Sequence, residues 1–492
     1  MPSSVQFLAP DLGGSQQDWL NTTGAIELAS LRGRIVILDF WTSCCINCIH
    51  TLATLARVET MFNEDVLVIG VHSPKFDAER SRSALISAIS RYEINHPVVN
   101  DCDFRIWNLF QVRSWPTLVF IGPDGLLLGR MSGEPILDQL CQFIRETLAY
   151  FGQLGVRRPK SINLGRPAEA ARTLRFPSAL KPNPGSDGGG WVLADSGHHQ
   201  IVCLSAEGKE VARYGSGESG FRDGSACEAL FNKPQGLAAW ANFIFVADTG
   251  NHAIRRINTD NGEVFTLAGT SHRGELLGEP VPGRSTALAS PWDLLITQSA
   301  ILFTNAGTHQ LGQYDLVSGL VSRLAGTGAE SIDDGPAGLA SLAQPSGIAL
   351  SPDKSKLYFV DSETSALRVL SLDSTPCVMT LIGRGLFEFG HRNGAMTEAL
   401  LQHPLGLCCF ERFIAVADTY NNCVRIVDLD SRTICDLDQG DIMCTDPLCI
   451  PISHCAGVFA ENLQRLMVVD TDNHRVVRYD MNGRSVYSTW LS

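Results

Sequence analysis

The run Cys44-Cys45-Ile46-Asn47-Cys48 holds three thiols, and two of them, Cys45 and Cys48, have the Cys-x-x-Cys spacing. Thiols three positions apart at a helix start can close a small disulfide ring. That position also gives the first thiol a reason to ionise, because unpaired backbone N–H groups and the positive end of the helix dipole stabilise a thiolate. Cys45 is therefore the expected attacking sulfur, and Cys48 the resolving one. A vicinal Cys44–Cys45 bridge would be strained. His50, two residues beyond Cys48, reads as a solvated helix histidine rather than a partner of the thiols.

Two other groups of residues invite a metal reading. His252, His309 and His474 recur at one place in a repeated motif, so structural hydrogen bonding explains them better than a metal ring does. Cys435, Cys444, Cys449, His454 and Cys455 crowd late in the chain, but their gaps do not match paired zinc spacing. Partner-facing or buried thiols are expected there, or disulfides in an oxidising compartment. No metal and no nucleotide cofactor is implied.

The elements around the Cys-x-x-Cys run alternate. Residues 35–40 form an apolar run suited to a buried strand, 49–62 a helix, 66–71 a second strand and 79–92 a long helix. Strands at 117–121 and 126–130 follow around a Gly-Pro-Asp-Gly turn, then an amphipathic helix at about 134–151. The order is β-α-β-α-β-β-α.

From residue 195 onward one pattern appears six times, including Val246-Ala247-Asp248-Thr249-Gly250-Asn251-His252 and Val468-Val469-Asp470-Thr471-Asp472-Asn473-His474. Its Asp or Asn stands at 195, 248, 305, 361, 418 and 470, a long period of the kind that repeated four-stranded blades produce. Six such blades close radially into a propeller, which removes exposed sheet edges. The recurring acids are expected to satisfy backbone donors at the turn after a strand. Copies three and four depart from the pattern, with Asn305 in place of Asp and Glu363-Thr364-Ser365 in place of Gly-Asn-His.

These observations divide the chain into an α/β domain at 1–154, a linker at 155–171 and an all-β six-bladed propeller at 172–492. The net charge of -13 is concentrated in the second part, which argues against a general nucleic-acid binder because such binding rests on Lys and Arg displacing counterions. Mean hydropathy near zero, no apolar stretch of membrane-spanning length and no basic-then-apolar start point to a chain without a membrane span. The expected setting is cytoplasmic, with reduced cysteines.

The aromatic strand leading into Cys-x-x-Cys resembles the thioredoxin superfamily. The resemblance implies that Asp39, six residues before Cys45, is a buried acid assisting proton transfer from the second cysteine. It likewise implies that Pro116 is a cis-proline packed against the sulfur pair. Ile46-Asn47 replaces the usual Gly-Pro, and such a dipeptide change moves the redox poise within a range of about -270 to -120 mV. The propeller motif resembles the NHL repeat. Together with His72-Ser73-Pro74-Lys75-Phe76, His96-Pro97-Val98-Val99-Asn100-Asp101 and Trp115-Pro116-Thr117, nearly the whole chain resembles the NHL-repeat-containing protein 2 family. It is also similar to the thioredoxin and propeller part of plant thylakoid-lumen proteins that protect light harvesting.

The function implied is that of a thiol-disulfide oxidoreductase-type protein. Its propeller face recruits a protein client, and Cys45 forms a mixed disulfide with that client. The alternative is a non-catalytic interaction scaffold with a degenerate thioredoxin fold. A propeller hydrolase or lyase fits less well, because the sequence shows no clustered catalytic set.

Overall fold

A computed structural model of the protein describes residues 7–157, 165, 171–185, 189–276, 278–437, 443–444, 451–480 and 486–491. The chain separates into two compact units, Met1–Ala170 and Ala171–Ser492.

The first unit is a six-stranded mixed sheet covered by helices on both faces. Its elements are β1 (Trp19–Leu20), β2 (Ile35–Trp41), α1 (Ile46–Phe62), β3 (Val66–His72), α2 (Arg82–Tyr92), β4 (Val98–Asn100), α3 (Arg105–Leu109), β5 (Thr117–Ile121), β6 (Leu127–Ser132) and α4 (Leu137–Gln153). The sheet order is β1-β4-β3-β2-β5-β6. The pairs β2–β3 and β3–β4 are parallel, whereas β2–β5 and β5–β6 are antiparallel.

Both faces of β2 and β3 are buried, which is why these strands read as unbroken apolar runs rather than alternating ones. Val36, Leu38, Ile69 and Val71 pack on one face with Ile106 and Phe110. Ile35, Ile37, Val66 and Val68 pack on the other against Leu55 and Val58 of α1 and Ile144 and Leu148 of α4. Each such side chain contributes about 1.5–3 kcal/mol on burial.

Three short elements add to the expected order: β1, β4 and α3. The expected helix at 79–92 begins later, at Arg82, for two reasons. Ser81 caps it by accepting from the Ala84 N–H at 3.1 Å. Glu79 is held outside the helix, accepting from the backbone N–H groups of Lys75 and Phe76, each at 2.9 Å.

The second unit is a six-bladed propeller. Each blade is a sheet built on four consecutive antiparallel strands, and in the last four blades a two-residue segment pairs with the fourth strand. Apolar side chains of one blade pack on the next, as Ile201 and Cys203 do with Ile244 and Val246.

The repeated acid does what its place after the second strand demands. One oxygen of Asp195, Asp248, Asn305, Asp361, Asp418 and Asp470 accepts a backbone N–H from the segment leading into its own blade, at 2.7–2.8 Å. In blades two, four and five the other oxygen pairs with a fully buried arginine, Arg255, Arg368 or Arg425, at 2.8–2.9 Å. Blade three breaks this pattern at Asn305, and Gly312 stands where those arginines stand, leaving its space to the Phe303 ring.

The repeat histidine is a blade-to-blade connector. His199, His252, His309, Ser365, Asn422 and His474 all adopt left-handed backbone, with φ of 51–56°. Each offers a side-chain acceptor to a backbone N–H of the next blade, at 2.8–3.1 Å. The last of these joins His474 to Phe176, and the Thr471 hydroxyl donates to the Pro177 carbonyl at 2.8 Å, so the sixth blade is tied to the first.

Candidate functional site

Cys45 is the N-cap of α1, and its carbonyl accepts from the N–H groups of Cys48 and Ile49, both at 3.1 Å. Its side chain makes no capping hydrogen bond, and what favours negative charge at this position is the positive end of the α1 dipole. Cys45 is 9% exposed and Cys48 is fully buried. Both are free thiols, and the Cys48 thiol is hydrogen-bonded to Cys45. Burial, followed by that hydrogen bond and the nearby Cys45 charge, holds the Cys48 thiol well above the usual cysteine range.

Asp39 lies beneath α1 on the same sheet face as Ile35 and Ile37, close enough that its charge acts on Cys48. It is completely buried, and neither carboxylate oxygen has a hydrogen-bond partner. Burial pushes its carboxyl up to about 7, with His96 opposing the rise and Glu59 adding to it. A neutral carboxyl is the favoured form of an acid in such a place, and it takes and returns a proton near neutral pH.

Pro116 follows a cis peptide bond from Trp115 and immediately precedes β5. Thr117 pairs with Phe40, so Pro116 lies at the end of the sheet from which the Cys45 loop departs. The structure thus brings Asp39, Cys45 and Cys48 together and places Pro116 at the same sheet end.

The loop into the dithiol is fixed by a residue that the sequence reading passed over. Glu79, 3% exposed, accepts from the Thr42 hydroxyl at 2.8 and 2.9 Å and from the Ser43 N–H and hydroxyl at 2.8 and 2.6 Å. With the Lys75 and Phe76 N–H groups it joins the Thr42–Ser43 turn to the loop after β3. The Tyr92 hydroxyl closes the same turn by donating to the Ser43 carbonyl at 2.7 Å. Cys44 Sγ lies 3.7 Å from the Thr42 hydroxyl and is buried, as a small apolar side chain is.

His50 is not the solvated histidine expected. The β6–α4 connection carries Glu134 over the start of α1, and His50 Nδ1 lies 3.1 Å from Glu134 Oε1 with its side chain 10% exposed.

Among the late cysteines, Cys455 is fully buried and its thiol donates to the Cys423 carbonyl at 3.3 Å, while His454 gives its backbone N–H to Asn422. Cys449 and the Cys444 side chain lie outside the described residues. Among the described residues, no helix is long and apolar enough to cross a membrane.

Comparison with known proteins agrees with both units. A thioredoxin-like family matches residues 33–127, and the NHL repeat matches residues 231–257. Protein SUPPRESSOR OF QUENCHING 1, chloroplastic, of Arabidopsis thaliana is 36% identical over 489 residues, which is 95% of this chain and 46% of that protein. NHL repeat-containing protein 2 of Homo sapiens is 34% identical over 508 residues, 95% of this chain and 70% of the relative. The chain therefore spans less than half of its plant relative. Among solved structures, the thioredoxin-like superfamily protein SPOA0173 is 28% identical over 29% of this chain and 96% of its own, with a TM-score of 0.27.

Proposed function

Because this chain belongs to the NHL repeat-containing protein 2 family, we propose that it is a thiol-disulfide oxidoreductase-type protein whose propeller recruits a protein client. Cys45 attacks a client disulfide, displacing one client sulfur as a thiolate and forming a mixed disulfide. Cys48, having given its proton to Asp39, then attacks Cys45 Sγ and releases the second client sulfur. The protein is left with a Cys45–Cys48 disulfide, which an external thiol reduces for the next cycle.

The observation that carries this reading is the pairing of a buried thiol, hydrogen-bonded to Cys45, with a buried acid whose carboxyl is raised to about 7. A pair kept solely for packing has no need of an ionisable group without hydrogen-bond partners in the core. The order of attack follows from exposure, since Cys45 is the less deeply buried of the two sulfurs. The cytoplasm suits a chain whose fifteen cysteines lack an evident disulfide framework. The plant relative's name says chloroplastic, and the same chemistry applies in either setting.

The scaffold reading is favoured by one observation, the 9% exposure of Cys45, because exchange requires a client sulfur to approach it. Insulin reduction by the full chain and by Cys45→Ser separates the two. Activity in the parent that is lost in the variant supports exchange, and equal activity or none in both supports the scaffold. A Cys48→Ser variant should accumulate mixed disulfides through Cys45 in cell lysate, and an empty trap counts against exchange.

A further inference from the structure

An acid that accepts a proton in the core must lose it again before the next cycle, and the arrangement behind Asp39 supplies a way out. Asp39 and Gly70 are register partners on the parallel strands β2 and β3. They therefore lie on the same sheet face, about 4.8 Å apart across the ladder. Gly70 has no side chain, and a Cβ placed there would lie 3.4 Å from His96 Nε2 and 3.0 Å from Trp41 Nε1. Val98 Cγ2 would lie 3.2 Å from the same Cβ, so the Trp41, Val98 and His96 side chains close tightly over Gly70, which pairs with Asp39 on the next strand.

His96 is 3% exposed, and its Nε2, like both Asp39 oxygens, has no hydrogen-bond partner. Its other nitrogen, Nδ1, lies 3.2 Å from Glu59 Oε2, and the Glu59 side chain is 26% exposed. Cys48, Asp39, His96 and Glu59 therefore form a sequence of ionisable groups leading from the buried thiol to the surface. The other titratable group on this strand face is His72, which is fully buried, shifted down by that burial, and acted on by the Glu79 charge.

We propose that His96 and Glu59 carry to solvent the proton that Asp39 takes from Cys48, past Gly70, whose lack of a side chain lets the His96 ring approach the strand next to Asp39. This rests on the dithiol reading above. When Cys48 attacks Cys45 Sγ, its thiol proton passes to an Asp39 oxygen and the bond from Cys45 to the client sulfur breaks. The resulting carboxylic acid gives that proton to His96 Nε2 while His96 Nδ1 releases one to Glu59, and Glu59 returns it to water. Asp39 is returned to the carboxylate that accepts the next proton, and the imidazole resets by exchanging its tautomer. His96 and Glu59 act through Asp39 and are positioning residues.

The test is single-turnover oxidation of the reduced full-length chain by glutathione disulfide, with Cys45–Cys48 closure followed by quench and mass spectrometry from pH 5.5 to 8.5. His96→Ala should slow closure about tenfold or more and flatten its pH dependence near neutrality, and added imidazole should restore the rate. His96→Gln keeps bulk without a relay proton and should be equally slow, while Gly70→Ala should slow closure with every ionisable group in place. Unchanged urea midpoints show that the variants fold.

If the parent chain does not close the disulfide, the dithiol reading fails and the relay fails with it. If the parent closes it and both His96 variants match its rate and pH profile, the reading stands and the relay is overturned. Slow closure that imidazole leaves unchanged makes His96 structural and also overturns the relay.

Discussion

Replacing Asp39 with Asn should stabilise the first unit at neutral and alkaline pH and leave its stability unchanged in acid. Burial lifts the folded carboxyl from 3.8 to about 7. A raised folded value means that the unfolded chain ionises first as pH rises. Stability from this group is therefore complete below about pH 4, is lost progressively as pH climbs to about 7, and stays lost above it. At about 1.4 kcal/mol per unit, the folded unit gives up on the order of 4 kcal/mol at pH 8. Asn has nearly the same shape and cannot ionise, so Asp39→Asn should recover most of that. The assay is hydrogen exchange of the Ile35–Trp41 amides in the full chain, comparing variant with parent at each pH, so that the intrinsic pH dependence of exchange cancels. A stability difference of several kcal/mol at pH 8 that closes by pH 4 supports the reasoning. A difference that is constant with pH, or that favours Asp at pH 8, refutes it.

Glu79→Ala strips an acceptor from the backbone N–H groups of Ser43, Phe76 and the half-buried Lys75, and should cost the first unit about 3 kcal/mol in urea unfolding. It should also slow disulfide closure, because the turn before Cys45 loses its anchor. In the propeller, Arg425→Ala leaves Asp418 buried without its cation and should cost about 3–5 kcal/mol. Burial already raises the Asp418 carboxyl to about 6, so that cost should be smaller at pH 5, where the acid is more often neutral, than at pH 8. Denaturation curves of the parent and variant at the two pH values check this.

Much of the fold was legible because its signals are either repeated or doubly buried. The six Asp or Asn positions announce the blades, and even the divergent copies preserve the chemistry. Asn305 still accepts a backbone N–H, and Ser365 still offers an oxygen at the left-handed position that histidine holds in four other blades. β2 and β3 were readable because both faces are buried. β1, β4 and α3 were not, because two, three and five residues are too few to show a period. Their pairing is set by distant partners, such as Trp19 with Val99.

At the site, Cys45 and Cys48 stood out by spacing, and Asp39 only through the resemblance of their loop to thioredoxins. Glu79 did not, because in sequence it is an ordinary acid near a helix start, and its importance arises when two loops converge on its oxygens. His96 was similarly hidden. Its relation to Asp39 passes by Gly70, which pairs with Asp39 in the sheet and gives its N–H to the Pro97 carbonyl next to His96.

The whole mechanism depends on Cys45 and Cys48 exchanging between thiol and disulfide. Its most direct measurement is equilibration of the full-length chain in graded glutathione buffers, with every disulfide mapped by mass spectrometry. A Cys45–Cys48 bond should form with a two-electron midpoint between about -270 and -120 mV, and be absent in Cys45→Ser and in Cys48→Ser. A pair that remains as free thiols at the oxidising end, or sulfurs that bond elsewhere while this pair does not, would contradict it.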